Sequence, residues 1–339
     1  MNIVGYIDRF SVEPGQNLKV MVSSKLPEYT AEMVRLIHGD PNPNGPGVKE
    51  EVIPSSMNGQ HPGREQFFSR GSYVTVPDDL ALRLQDSFTL SAYIWPTTPK
   101  KGPQGIITKW LDDVGYGLVI GDDGSLGFWI ADDDSNIEIF STKVPLLPSQ
   151  WYAVTARLDS ATHRISLYQE ALSTWSKDED SAIVSDDLSL RSIGFNEAPL
   201  LIAGFGILDG VGEVGVGGLF NGKIEFPRLY DQALTPNQIK MDMNEGLVAA
   251  WDFSRDFASS KITDVSGNNR HGVAMNMPAR AVTGHNWKGS EIDFRMTPEQ
   301  YGAIHFHDDD LEDAGWIPDF EFTVPDDIRS AVYAVKLKA

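Results

Sequence analysis

Phe88-Thr-Leu-Ser-Ala-Tyr-Ile-Trp95 and Phe220-Asn-Gly-Lys-Ile-Glu-Phe-Pro-Arg-Leu-Tyr230 are the stretches that decide the fold of this chain. In both stretches apolar side chains alternate with polar ones, which is the pattern of a strand with one buried face. Residues 73–77, 115–120 and 151–157 are similar short runs bounded by turn-forming residues. Many short strands of this kind predict an all-β jelly-roll sandwich.

Length and composition indicate two packing units. The chain has 339 residues, which exceeds what one hydrophobic core usually holds. Its hydrophobic content of 41% and charged content of 22% are those of a globular protein. Cysteine is absent, so disulfides, thiol nucleophiles and zinc-thiolate sites are excluded.

The net charge argues against two classes of partner. With 28 Lys and Arg against 48 Asp and Glu, the chain carries a charge of −20. Such a protein repels nucleic-acid phosphates and anionic membranes, so we expect neither as a partner. The first residues lack a secretory signal and no uncharged apolar run approaches about 18 residues, which predicts a cytoplasmic protein. A recombinant start that replaced a leader would leave the same pattern.

Turn-forming residues divide the chain outside the jelly roll. Residues 17–23 and 31–38 alternate like strands, and residues 39–47 concentrate Gly, Pro and Asn in a predicted surface loop. A short helix is predicted over residues 234–240. There Thr235 can cap the first turn and Pro236 can occupy its first position.

The two chain ends are predicted to form one discontinuous domain. Residues 317–324 and 331–338 alternate again, and neither end can bury a face alone. We therefore expect a small β-sandwich over residues 1–66 plus 291–339, with the jelly roll of residues 67–290 inserted. In it, residues 18–22 would pair with residues 332–337. The final strand also indicates a segment of a longer protein.

Four stretches together carry a family resemblance. They are Gly5-Tyr-Ile-Asp-Arg-Phe-Ser-Val-Glu-Pro-Gly15, Leu247-Val-Ala-Ala-Trp-Asp-Phe253 with Asp264-Val-Ser-Gly-Asn-Asn269, His305-Phe-His-Asp-Asp-Asp-Leu311, and Phe322-Thr-Val-Pro-Asp-Asp-Ile-Arg-Ser-Ala-Val-Tyr333. With them the chain resembles the N-terminal part of the large (beta) subunit of the N,N-dimethylformamidase family. Its inserted domain looks like the laminin-G or concanavalin-A-like class, whose pattern matches residues 220–234.

The resemblance implies a parent enzyme that hydrolyses N,N-dimethylformamide to dimethylamine and formate. In that family the cofactor is an iron held by two tyrosines and a glutamate in a later, amidotransferase-like domain, and nothing here aligns with that domain. We therefore expect no catalytic residue and no cofactor in this segment, which would act as a structural and assembly scaffold. The implied partners are the catalytic domain of the same subunit, the small subunit and further copies in a homo-oligomer.

Two carboxylate-containing stretches suggest enzymatic or metal chemistry. Glu291-Ile-Asp-Phe-Arg-Met296 resembles the acidic strand of jelly-roll glucanases, but Arg295 and Met296 stand where the second catalytic carboxylate would be needed. His305-Phe-His307 followed by Asp308-Asp-Asp310 is a plausible first-row metal set. We favour the alternative, a charged strand end whose histidines are hydrogen-bonded, and a metal site stays open.

Three further patterns have a structural and a functional interpretation. Asp264-Val-Ser-Gly-Asn-Asn269 could bind calcium or form an Asx turn around Gly267. Gly210-Val-Gly-Glu-Val-Gly215 has dinucleotide-fingerprint spacing without the required helix, which favours a glycine loop. The tryptophans favour core positions, whereas an exposed row of rings would indicate the alternative function, an independent carbohydrate-binding module. These tryptophans are Trp95, Trp110, Trp129, Trp151, Trp175 and Trp251.

Overall fold

The computed structural model describes residues 2–172, 180–208, 214–241 and 244–339. The chain divides into two compact units. The smaller unit comprises residues 1–68 and 314–339, and the larger comprises residues 69–313. Because both chain ends belong to the smaller unit, the larger unit is an insertion within it.

The described residues form strands β1 to β25 and a five-residue helix, α1. The first thirteen strands are β1 (Ile3–Ile7), β2 (Asn17–Ser24), β3 (Glu28–His38), β4 (Lys49–Val52), β5 (Gly59–Pro62), β6 (Tyr73–Val76), β7 (Phe88–Pro96), β8 (Gln104–Leu111), β9 (Val114–Ile120), β10 (Ser125–Ala131), β11 (Ile137–Pro145), β12 (Tyr152–Asp159) and β13 (Arg164–Ala171). The remaining elements are β14 (Ala182–Asp187), β15 (Leu200–Ile202), β16 (Phe205–Leu208), β17 (Val214–Gly217), β18 (Gly222–Tyr230), α1 (Pro236–Lys240), β19 (Leu247–Ala250), β20 (Lys261–Ile262), β21 (Gly272–Met275), β22 (Ala279–Val282), β23 (Ala303–Phe306), β24 (Phe320–Thr323) and β25 (Val332–Lys338).

Two antiparallel sheets form the sandwich of the larger unit. One runs in the order β11-β10-β9-β8-β15-β6-β21-β20. The other runs β14-β13-β12-β7-β18-β23-β22, with β19 also paired to β18. Their facing sides bury one continuous hydrophobic core that includes Phe88, Phe128 and Trp251. The predicted all-β fold with an inserted jelly-roll sandwich is confirmed.

Alternation along β7 explains how this sheet forms its two faces. Leu90 and Ile94 are fully buried in the core. Their neighbours Tyr93 and Trp95 are only half-buried and lie outside the core, because successive strand residues point to opposite faces. We call this second side of the β14-to-β22 sheet the outer face.

The smaller unit also contains two sheets. One has the order β1-β2-β24, and the other has the order β25-β3-β4 with β5 paired to β3. The core between them contains Val20 and Val22 from β2 together with Ala31 from β3. Both chain ends contribute strands, so neither end could build these sheets by itself.

The predicted pairing of residues 18–22 with residues 332–337 is wrong. Strand β2 pairs with β24, for example Leu18 with Phe322, and its other edge is taken by β1. Strand β25 instead pairs with β3, with Val335 opposite Met33. Because β1 and β24 occupy both edges of β2, β25 completes the second sheet rather than the first.

The predicted boundary at residue 291 is also wrong. Residues 291–313 belong to the larger unit. Strand β23 pairs with β18 from Gly222–Phe306 to Glu225–Ala303, and Ile304 and Phe306 lie in the core of the jelly roll. The burial of these two side chains therefore makes β23 part of the larger sandwich.

Helix α1 begins as the sequence predicts. The Thr235 side chain accepts a hydrogen bond from the backbone N–H of Gln238, which completes a capping box, and Pro236 opens the first turn. Ile239 is the buried residue of this helix. Within the described residues, no helix has the length and apolar character needed to span a membrane.

Candidate functional site

Polar and aromatic side chains collect on the outer face of the larger unit. Most of them lie on β7, β18 and β23, which are neighbours in the sheet, and the others come from the adjoining loops. We call this set the outer-face cluster. It comprises Tyr93, Trp95, Trp151, Lys223, Glu225, His285, His305 and His307.

A buried glutamate orients one histidine of the outer-face cluster. Glu225 is 4% exposed, and its Oε2 atom lies 2.7 Å from both the backbone nitrogen and the ring Nδ1 of His285. The Nδ1–H therefore donates to the carboxylate, which leaves Nε2 on the far side of the ring. The ring stacks on Tyr93 with centroids 3.7 Å apart and planes 10° from parallel. The imidazole is thus held in one orientation.

A lysine lies against an aromatic ring beside this pair. The Lys223 ammonium is 4.9 Å from the centroid of the Trp95 ring and donates to Thr283 Oγ1 over 2.9 Å. Burial lowers the pKa of Lys223, and the nearby Glu225 carboxylate opposes that change. The cluster therefore combines a cation–π contact with half-exposed aromatic surface.

His305 on β23 and His307, just after the strand, lie beside each other. The rings of His305 and His307 have centroids 4.2 Å apart, and the His305 ring meets Trp95 edge-on at 6.1 Å. Burial lowers the pKa of His305 to about 4, with contributions from His307 and Lys223. His305 is therefore neutral at pH 7, and its Nε2 atom is buried with no hydrogen-bond partner among the described residues.

The acids that follow His307 point to separate partners. Asp310 accepts a hydrogen bond from Ser72 Oγ over 2.7 Å and lies 3.2 Å from His307 Nδ1. Asp308 instead forms an ion pair with Lys101 at 2.7 Å. Over the residues that the structure describes, no three His, Asp or Glu side chains converge as a metal ion would require. Of the two histidines, His307 contacts a carboxylate, and the acids that follow it are engaged by separate partners.

The loop of residues 264–269 is organised around one carboxylate. Asp264 accepts hydrogen bonds from the backbone N–H groups of Ala250, Ser266 and Arg270 and from the Ser266 hydroxyl, at 2.9–3.0 Å. Burial favours a higher pKa for Asp264, but these hydrogen bonds hold the pKa below its usual value. Gly267 has a φ of 89°, as the turn requires. The carboxylate oxygens thus serve the Asx turn.

The glucanase-like stretch is not a strand. Residues 291–296 form an irregular segment and a turn. Asp293 binds Arg295 at 2.6 Å, and this hydrogen-bonded pairing lowers the pKa of Asp293 to about 2. The segment therefore lacks the strand alternation that was expected to place two carboxylates at the spacing retaining hydrolysis uses.

The tryptophans divide between core and surface. Trp110 and Trp251 are buried, as core positions require, whereas Trp287 is 44% exposed. Trp95, Trp129, Trp151 and Trp316 are half-buried. Trp175 lies outside the described residues, and so does most of the glycine pattern at residues 210–215.

Sequence reasoning identified part of the outer-face cluster and missed the rest. The histidines of residues 305–307 and the rings Trp95 and Trp151 were candidates, and the structure brings them together. Lys223, Glu225 and His285 were missed. The available signal was the pair of charges in alternate positions of β18, on the side opposite Ile224.

Family models match two parts of the chain. One, described as the concanavalin A-like lectin/glucanases superfamily, matches residues 68–240. Another, described as N,N-dimethylformamidase beta subunit-like, C-terminal, matches residues 279–339.

Individual proteins are also similar to this chain. The N,N-dimethylformamidase beta subunit of Paracoccus aminophilus is 38% identical over 363 residues, which cover 100% of this chain and 47% of that subunit. The beta subunit of an Alcaligenes species is 39% identical over 362 residues, covering 99% and 47%. The IT-sialidase CBM40 of Ruminococcus gnavus, solved with alpha2,3 sialyllactose, has a TM-score of 0.37 and 14% identity over 52% of this chain and 94% of that chain.

These matches confirm the family resemblance predicted from the sequence. The chain spans about half the length of the curated relatives it matches.

Proposed function

We propose that this chain, which belongs to the concanavalin A-like lectin/glucanases superfamily through residues 68–240, has no catalytic role of its own. It would be a structural and assembly segment of an amide hydrolase of the N,N-dimethylformamidase type. The carrying observation is the extent of similarity. Likeness to the beta subunits runs along the whole chain, whereas the chain corresponds to about half of each subunit.

The side-chain geometry supports a role without amide turnover. The buried Glu225 is engaged by His285, and the Asp264 carboxylate is engaged by its own loop. Hydrolysis needs a nucleophile or an activated water beside a general base, with a stabilised oxyanion. The outer-face cluster supplies an oriented imidazole but neither a serine nor a paired carboxylate of its own.

In this proposal the longer protein hydrolyses N,N-dimethylformamide to dimethylamine and formate. Its iron and reacting groups belong to a catalytic, amidotransferase-like domain in the half that this chain does not span. The segment packs against that domain, against the small subunit and against further copies of the subunit. The relatives are named as beta subunits, which is consistent with partner subunits.

An amide-turnover assay tests this proposal. The purified chain, with and without added iron(III), is incubated with N,N-dimethylformamide, and dimethylamine and formate are quantified. We expect no release above the buffer control. The Paracoccus aminophilus enzyme serves as the positive control. Sustained turnover by this chain alone would contradict the proposal.

A carbohydrate-binding module is the second candidate, and the outer-face cluster favours it. Tyr93, Trp95 and Trp151 leave half-exposed rings on one sheet face, and such rings can stack on sugars. A glycan array probed with the chain tests this function. Binding that is lost in Trp95→Ala but kept in Trp129→Ala, a half-buried tryptophan on the other sheet, would establish it. The absence of binding would leave the scaffold role.

A further inference from the structure

The smaller unit contains a cavity of about 350 Å³. Its inner wall is formed by Met33, Met57, Phe322 and Val324, which are 3–6% exposed and belong to one hydrophobic cluster. Met33 lies on β3 and Phe322 on β24, so the cavity is lined from both sheets. Sites for small molecules typically occupy about 300–1,000 Å³ and are mostly apolar. The cavity has that size and character.

The polar part of the cavity is positively charged. Arg9 and Arg329 line it, and no Asp or Glu does so among the described residues. This is unusual placement in a chain whose net charge is −20. Arg9 forms a long ion pair with Asp8 at 3.9 Å, and its side chain is 54% exposed, whereas Arg329 has no ion pair within the described part of the chain. The Arg329 guanidinium is therefore available to an anion, and the long, exposed Arg9–Asp8 contact can be exchanged for one.

We propose that this cavity binds an aliphatic monocarboxylate of about eight to ten carbons. The hydrocarbon tail would contact the four apolar residues of the inner wall, and the carboxylate would meet the guanidinium groups. Arginine presents a planar fork of donors that matches a carboxylate bidentately. A methylene group occupies roughly the volume of a water molecule, about 30 Å³, so a tail of seven to nine carbons fits the space.

Methionine-methyl NMR of the full chain locates the ligand without any substitution. Octanoate is titrated into protein labelled at the methionine methyl groups. We expect the resonances of Met33 and Met57 to shift saturably, while those of Met277 and Met296, which are 71% and 69% exposed, stay in place. Acetate should not shift Met33 or Met57. Affinity should rise about fourfold for each methylene from hexanoate to octanoate.

Paired arginine variants test the charged end. In the double variant Arg9→Gln with Arg329→Gln, octanoate should bind on the order of tenfold more weakly. Octan-1-ol, which has the same number of carbons without the charge, should bind both proteins equally. Arg164→Gln, which removes a 54% exposed arginine of the larger unit, is the matched control and should bind octanoate like the parent.

Three results would overturn this site. The first is the absence of saturable shifts at Met33 and Met57. The second is equal binding of octanoate and octan-1-ol by the parent chain. The third combines two measurements. Sedimentation would show that the parent chain is a dimer and that the Phe10→Ser variant is a monomer, while octanoate shifts the Met33 and Met57 resonances of neither protein. Phe10 lines the cavity and is fully exposed, so that result would assign the cavity to a second copy.

Discussion

At the scale of single residues, His305 shows how a strand position can suppress a charge. Its ring is packed against His307 and Trp95, and no atom in the described part of the chain is hydrogen-bonded to its buried Nε2. Burial disfavours the imidazolium, and the neighbouring Lys223 adds repulsion. The sequence indicated two histidines on one face, but the burial that mainly suppresses the charge arises only in the folded sheet, where His307 and a lysine from another strand add to it.

The lowered pKa of His305 predicts a pH dependence of stability. Its pKa is about 4 in the folded chain and about 6.5 when unfolded, so the unfolded state binds more protons between those values. This histidine therefore makes the folded state lose stability as the pH falls from 6.5 towards 4. The free energy of unfolding, measured by urea unfolding at several pH values, should fall less steeply for His305→Gln than for the parent chain over this window. Identical slopes would contradict the lowered pKa.

Trp251 predicts a large effect from one core side chain. It is fully buried in the sandwich core, and its indole N–H donates to Arg270 O over 2.8 Å. Trp251→Ala should lower the free energy of unfolding by about 3–5 kcal/mol. Trp287→Ala removes a 44% exposed indole and should change it by about 0.5 kcal/mol or less. Urea unfolding followed by far-UV circular dichroism measures both, and equal losses would contradict the assignment of Trp251 to the core.

At the scale of elements, the Asp264 carboxylate ties together the backbone between β19 and β21. It accepts four hydrogen bonds from three residues that span positions 250–270. Because the donors would be left unpaired, Asp264→Ala should cost about 3 kcal/mol. Thermal unfolding with 5 mM calcium and with chelator should give the same midpoint for the parent chain. A clear rise in midpoint with calcium would favour the calcium interpretation of this loop.

Local elements were predictable, and their partners were not. The strands β7 and β18 and the helix α1 follow from alternation and from the cap at Thr235, which are properties of neighbouring residues. Alternation did not reveal that β24 rather than β25 pairs with β2, since both strands carry the same pattern. Local sequence also does not show the contact between Glu225 and His285, because the two residues are sixty positions apart along the chain.

At the scale of the whole molecule, the smaller unit is built from both ends of the chain. Deleting residues 317–339 removes β24 and β25, the strands that pair with β2 and β3. Hydrogen exchange should then become fast at residues 18–22 and 29–34, because each of these strands loses one partner and the core between the two sheets loses the side chains of β24 and β25. Exchange in β7 and β12 should remain slow, since the larger unit has its own core. Unchanged protection at residues 18–22 would show that the chain ends do not share a sheet.

The insertion also sets a delay during synthesis on the ribosome. Strands β1–β5 emerge first, but β24 and β25 follow only after residues 69–313 have been translated. At about 5–20 residues per second, that interval lasts roughly ten to fifty seconds. During this time the apolar side of β2 and its free edge are unpaired in the nascent chain, a condition that favours aggregation. Chaperone binding to residues 1–68 would therefore protect the polypeptide until β24 and β25 have been translated.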